Sequence, residues 1–294
     1  MAGAGAGGVL SLADRAAGLL GRAVLAQAPL HGGCLARVTR LTLADGTMIV
    51  AKEALEPASD LTLEAWMLQE LRRRAGLPVP EVLAACRDLL LLSWLPHAPS
   101  GGLDAAAQRH AAELVAALHA VAGPAFGEER DTAIGPLVQP NAWSERWLPF
   151  FRDRRLLHMA HLALAAGRLE ASFLLRLERL AGRLDGYLTE PTAPSLLHGD
   201  LWGGNILSAG GRIAGFVDPA IYHGHAEIEL AFATLFDSLG EPFFQHYREL
   251  RPLEPGFFEM RRDLYNLYPL LVHVRLFGSS YLPPIDRTLR RLGC

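Results

Sequence analysis

Lysine is almost missing from this chain. Of its 28 basic residues one is lysine, Lys52, and the rest are arginine. The exception ends a strand-like run, Met48-Ile49-Val50-Ala51-Lys52. A compact ammonium meets a phosphate as a point charge, which a planar guanidinium does less well. Cysteine is scarce too. Cys34, Cys86 and Cys294 are widely spaced, which gives no disulfide framework and no thiolate metal pair, and suits a reducing cytoplasm. No apolar run reaches the roughly 18 residues of a membrane span. There is no basic excess either: the formal net charge is −3, so nothing advertises a nucleic acid as partner. The first eight residues are rich in Ala and Gly and carry no positive charge. They make a poor signal peptide, and the expected location is cytoplasmic. Internal repeats are absent.

What is present is a chain of 294 residues, half of them hydrophobic, enough for one large or two modest domains. Apolar spacing predicts an amphipathic helix over residues 10–25, broken by the segment 29–33. Two strands follow, 35–43 and 48–52, joined at Asp45-Gly46, a dipeptide that favours a tight turn. Gly32, Gly33 and Cys34 then lie at the head of a hairpin, where glycines let backbone amides approach phosphate. A helix over 61–74 sets Glu64, Leu68 and Leu71 on one side. Glu64 is either a partner for Lys52 or an ordinary surface acid. Arg72-Arg73-Arg74 ends that helix as a solvated basic turn.

Residues 88–95 read as a further strand, and 96–102, rich in Pro, Gly and Ser, as a crossing between lobes. Asp104 is placed to cap a helix over 105–121. The stretch 141–166 is rich in aromatic and basic residues. It either lines a cleft or packs an apolar stripe beneath a solvated basic face, the second being the ordinary outcome. Another amphipathic helix covers 171–188. His223, His225, Glu227 and Glu229 show no fixed zinc spacing.

The densest signal is His198-Gly199-Asp200-Leu201-Trp202-Gly203-Gly204-Asn205, followed by Asp218-Pro219. Asp and Asn are common loop residues that bond their own backbone. Five positions matched at fixed offsets, however, arise by chance only about once in a million starting points. The spacing of Asp200 and Asn205 is that of the kinase catalytic loop, where the Asp orients an attacking hydroxyl and the Asn reaches magnesium. Asp218 stands where a second metal-holding carboxylate is needed. The segments 206–207 and 213–217 form a small hairpin that would bring Asn205 and Asp218 together.

From about residue 32 to residue 281 the sequence resembles the fructosamine kinase (ketosamine-3-kinase) family, within the protein-kinase-like, aminoglycoside-phosphotransferase-like fold. The resemblance is carried by the run 195–205, by Asp218-Pro219-Ala220, by Ile134-Gly135 with Gln139-Pro140-Asn141, and by Leu264-Tyr265-Asn266-Leu267-Tyr268. Trp202, between the Asp and the Asn, separates this family from generic phosphotransferases.

The resemblance implies an α+β, bilobal fold. A small antiparallel-sheet N-lobe would span 1–95, a linker 96–102 and a helical C-lobe 103–294. It implies ATP and Mg2+ as cofactors and a small-molecule or protein-bound ketoamine as acceptor, with neither nucleic acid nor membrane as partner. Asp200 would accept the sugar hydroxyl proton, and Asn205 and Asp218 would hold magnesium. Lys52, oriented by Glu64, would contact the phosphates beneath a loop of Gly32, Gly33 and Cys34. Ser93, Trp94 and Leu95 would form the adenine hinge. Trp202 would either stack on the sugar or pack the catalytic loop.

Three positions depart from the family pattern: Ser93 where the hinge has Glu, Ala226 within His225-Ala226-Glu227, and Glu229 where Asp often stands. Cys34 is either a redox-sensitive thiol or a small buried residue. The implied reaction is phosphorylation of a ketoamine sugar hydroxyl, leading to deglycation. Two alternatives stay open: a kinase of aminoglycosides, choline or amino alcohols, and a nucleotide-binding pseudokinase.

Overall fold

Ser11 opens the first helix, α1 (Leu12–Leu20), by accepting a hydrogen bond from the Asp14 amide, and Gly21 closes it at φ 66°. The computed structural model describes residues 10–30, 36–56, 60–98 and 102–294. Gly32, Gly33 and Cys34 therefore lie outside the described residues. The chain divides into two compact units. The first takes residues up to Gln69 with Pro80–Leu95, and the second takes Glu70–Val79 with Pro96–Cys294.

In the first unit an antiparallel sheet contains β1 (Val24–Pro29), β2 (Ala36–Leu43), β3 (Met48–Ala54), β4 (Val82–Ala85) and β5 (Leu89–Ser93), ordered β1-β2-β3-β5-β4. The helix expected over 10–25 is shorter, because Gly21 ends it in the left-handed region and Val24–Pro29 pairs with β2 instead. That edge strand is mostly exposed, so its sequence shows no period of two. Strand β4 was likewise unmarked in sequence. It exists by pairing with β5, with a bulge between Val82 and Ala84.

One face of the sheet is closed by α1. Ala16, Leu41, Leu43, Ile49, Ala51, Leu89 and Leu91 form a solvent-free cluster, each large side chain contributing about 1.5–3 kcal/mol by burial. Side chains alternate along β3, so Ile49 and Ala51 enter that cluster while Lys52 faces the opposite side. There it meets Glu64 of α2 (Leu61–Ala75).

The second unit begins its long run of helices with α3 (Ala105–His119), capped as expected by Asp104, whose side chain accepts from the Ala107 amide at 2.8 Å. A short hairpin follows, β6 (Thr132–Ile134) and β7 (Leu137–Gln139). Then α4 (Trp147–Phe150), a π-helical turn (Phe151–Leu156) and α5 (Leu157–Ala165) run on as one rod, and α6 (Ala171–Ala181) ends earlier than expected. Strand β8 (Ser195–Leu197) pairs with β11 (Tyr222–Gly224), and between them β9 (Ile206–Ala209) and β10 (Arg212–Phe216) form a second hairpin. The remaining helices are α7 (Ala226–Phe232), α8 (Glu241–Leu250), α9 (Arg262–Tyr265), α10 (Leu267–Phe277) and α11 (Leu282–Arg291).

The aromatic stretch 141–166 is core at its key positions: Trp147, Phe150, Phe151 and Arg155 are fully buried. The basic turn ending α2 is only partly solvated. Arg73 is exposed, but Arg74 pairs with Glu70 and with the buried Glu128 at 2.7 Å. No helix among the described residues is long and apolar enough to cross a membrane.

Candidate active site

The loop after β8 is held by its backbone. Gly199 sits at φ 86°, and a Cβ there would lie 1.9 Å from the Ala220 carbonyl oxygen, so only glycine fits. The Ala220 amide in turn donates to the His198 carbonyl at 2.7 Å. The segment 218–220 and the loop entry are thus locked edge to edge. From α7, the buried Glu229 accepts the His198 amide at 3.2 Å and the Gly199 amide at 2.6 Å. His119 of α3 donates to the same carboxylate at 2.9 Å and meets the Tyr247 hydroxyl of α8 at 2.8 Å. Burial alone would push Glu229 up, but His119 and the Gly199 amide hold it below the usual carboxylate range.

Asp200 follows directly. The Asn205 side-chain amide donates to its carbonyl at 2.9 Å and to its carboxylate at 2.8 Å. Burial drives the Asp200 carboxyl up to about 7, against the Asn205 hydrogen bond and with added repulsion from Asp218 and Glu229. Both Asn205 partners are acceptors, which fixes the orientation of the amide and leaves its Oδ1 with no hydrogen bond among the described residues. The β9–β10 hairpin returns the chain so that the Val217 amide donates to the Asn205 carbonyl at 3.0 Å. Asp218 follows at φ 54°, a left-handed conformation that costs a carboxylate residue about 1–3 kcal/mol.

Asn205 Oδ1 and the Asp218 carboxylate are hard oxygen donors, and they suit magnesium, which keeps few protein ligands and completes its shell with water and phosphate. No set of three His, Cys, Asp or Glu side chains converges as a metal site among the described residues.

In the first unit Lys52 Nζ lies 2.6 Å from Glu64 Oε1, with both side chains largely buried. Ser93 ends β5. Its hydroxyl accepts the Glu81 amide at 2.9 Å, and its amide donates to the Glu81 carbonyl at 2.9 Å, so the residue at this position ties the end of β5 to the start of β4. Arg40 lies over the Trp94 ring at 5.7 Å, and Leu95 closes the unit. In the second unit Trp202 is half-buried and meets Phe236 edge to face at 5.9 Å.

Sequence reasoning did not find the amide clamp of Glu229 or its backing by His119 and Tyr247. Gln139, Asn141 and Tyr268 stand in motifs that carry the resemblance, with no role legible in the sequence. Gln139 donates to the Ala220 carbonyl at 3.0 Å and accepts from Tyr268 at 2.6 Å. Asn141 accepts from the buried Arg155 at 2.6 Å, whose guanidinium lies over Tyr222 at 3.9 Å. These distant motifs thus form one buried polar scaffold beside the loop that follows β8.

The family model for fructosamine kinase matches residues 15–293. This chain belongs to the fructosamine kinase family. A probable ketoamine kinase of Synechocystis is 33% identical over 274 residues, covering 89% of this chain and 88% of its own. A probable ketoamine kinase of Escherichia coli K12 is 33% identical over 268 residues, covering 90% and 91%. A crystal structure from Thermobifida fusca assigned as a fructosamine-3-kinase superposes with TM-score 0.85 at 33% identity, over 96% of this chain and 98% of that one. A thermostable mutant of the aminoglycoside phosphotransferase APH(4)-Ia, solved with ADP and hygromycin B, shares the fold at TM-score 0.68 and 18% identity, over 96% and 98%. The fold is therefore the α+β, protein-kinase-like one shared by fructosamine kinases and aminoglycoside phosphotransferases, and the chain is a phosphotransferase by family.

Proposed function

We propose that this kinase transfers the γ-phosphoryl group of ATP to a sugar hydroxyl of a ketoamine. The observation that carries the proposal is the pairing of Asp200 with Asn205 on a glycine-locked loop, in a chain of the fructosamine kinase family. Asp200, held by Asn205, orients the hydroxyl and takes its proton as the oxygen attacks. The bond from the γ-phosphorus to the bridging oxygen breaks, a bond to the sugar oxygen forms, and ADP leaves with the electron pair. Lys52, kept in place by Glu64, contributes positive charge to the phosphates.

Asn205 and Asp218 would hold Mg2+, which when bound neutralises charge on the triphosphate. Gly32, Gly33 and Cys34 would cover the phosphates, and Ser93, Trp94 and Leu95 would take the adenine through backbone groups. Trp202 would flank the sugar. The N-lobe is proposed to end near residue 95 and the helical C-lobe to begin near residue 103. The ester formed next to the ketone is labile, and its breakdown would free the amine and so complete deglycation.

The test is ADP release by the purified protein with ATP, Mg2+ and a panel of acceptors. Fructosyl- and ribulosyl-amines should be turned over and the ester seen by phosphorus NMR. Phosphorylation of aminoglycosides, choline or amino alcohols with no ketoamine turnover would reject the proposal.

A further inference from the structure

Between α7 and α8 two consecutive residues other than glycine adopt the left-handed conformation, Phe236 (φ 59°) and Asp237 (φ 51°). Such residues are held at a cost and cluster where a fold must present a group in one way. What this turn presents is a phenyl ring, 45% exposed. The ring meets Trp202 at 5.9 Å and His273 of α10 at 4.9 Å. Tyr281 lies 4.9 Å from the same imidazole and Phe277 5.5 Å from it. An aromatic shelf therefore runs on from Trp202, two residues past Asp200.

His273 gives the shelf one polar atom of defined character. Its Nδ1 lies 2.7 Å from the Pro269 carbonyl. A carbonyl only accepts, so Nδ1 carries the proton and Nε2 offers a lone pair. Burial holds the ring below the ordinary histidine range, which keeps it neutral near pH 7. Nε2 makes no hydrogen bond among the described residues. A single acceptor set among aromatic rings suits a cation that bears N–H groups: an aromatic face attracts the charge and Nε2 takes a proton donor.

A ketoamine carries such a group. Its nitrogen is a secondary amine, protonated near neutral pH, one carbon from the sugar ketone. We propose that Phe236, His273 and Tyr281 form the subsite for the ammonium group of the acceptor, next to the catalytic loop. This subsite rests on the ketoamine reading and makes the positive charge, rather than the sugar alone, the mark of a good acceptor.

The experiment compares an N-alkyl 1-amino-1-deoxyketose with the neutral 1-O-alkyl ether of the same sugar. The wild type should prefer the ammonium acceptor by about tenfold or more in kcat/KM. Phe236→Leu and Tyr281→Leu should each bring that ratio several-fold closer to one, with melting temperature and ATP affinity reporting their folding. A second arm needs no turnover: diethylammonium added to the wild type should shift the His273 imidazole NMR signals, and should bind Phe236→Leu more weakly. If no ketoamine is turned over, the functional proposal fails while this arm still scores the subsite. An unchanged acceptor ratio in both variants, or diethylammonium that leaves the His273 signals unmoved, overturns the subsite.

Discussion

The Glu229 carboxylate accepts the Gly199 amide at 2.6 Å, from a residue thirty positions earlier in the chain. The next residue after that amide is Asp200. The proposed base therefore takes its position from a helix it does not belong to. Glu229→Gln leaves only one acceptor oxygen for the two amides and the His119 donor, and an NH2 group that cannot accept. One buried amide is orphaned at a cost of about 1–3 kcal/mol. Turnover should fall about a hundredfold, with ATP affinity little changed, as measured by steady-state kinetics and nucleotide titration. A kcat near wild type would remove Glu229 from loop positioning.

Asp200→Asn keeps the size of the side chain and removes the base. Turnover should drop by about a thousandfold or more, within the range general-base removal allows when orientation is lost as well. ATP should still bind within a few-fold, measured by calorimetry. Retained turnover would reject the assigned role.

Much of this loop was legible because its chemistry is local in sequence. His198, Asp200, Asn205 and Asp218 sit within one hairpin and its lead-in, so their offsets alone report the geometry. The Asp104 cap and the helix at Leu61–Ala75 were legible for the same reason. The edge strand Val24–Pro29 was not, since its side chains are mostly exposed and only its pairing with β2 makes it a strand. Glu229, His119 and Tyr247 meet across more than a hundred residues, and no spacing rule joins them. Arg155 looked like part of a solvated basic face, yet it is buried against Tyr222, a fact set by three-dimensional packing alone.

Two glycines separate backbone freedom from space. Gly199 and Gly210 both have positive φ, at 86° and 57°. Nothing lies within 4 Å of a Cβ at Gly210, whereas one at Gly199 would strike the Ala220 carbonyl. Gly210→Ala should cost about 1 kcal/mol, seen as a small fall in denaturation midpoint. Gly199→Ala should give an inactive protein that is at least 3 kcal/mol less stable, roughly the scale of a forced clash added to strain. Equal midpoints would show that the loop yields.

His225 caps α7 through Nδ1, which accepts the Glu227 amide at 3.1 Å. Burial, with Arg261 nearby, lowers its pKa to about 3 from the ordinary 6.5. The unfolded chain therefore binds an extra proton between those two values, so this residue makes stability fall as pH drops below 6.5. His225→Asn retains a cap acceptor and cannot titrate. Its loss of stability between about pH 7.5 and 4.5 should be smaller than that of the wild type by about 2 kcal/mol. Parallel urea midpoints at the two pH values would contradict this.

Lys52→Arg preserves charge but replaces a compact ammonium that fits 2.6 Å from Glu64 with a wider plane. The KM for ATP should rise and kcat fall, together lowering kcat/KM about a hundredfold. Kinetics close to wild type would mean that charge alone suffices there.

Reducing sugars condense with side-chain amines, and this chain offers them one. Lys52 is 8% exposed and bound to a carboxylate, and the arginine-rich chain carries no other ε-amino group. An enzyme proposed to undo sugar damage on amines is thereby built with scarcely any amine to be damaged. Long incubation with ribose, followed by peptide mass mapping, should find Lys52 unadducted while a lysine-rich protein in the same tube is heavily modified.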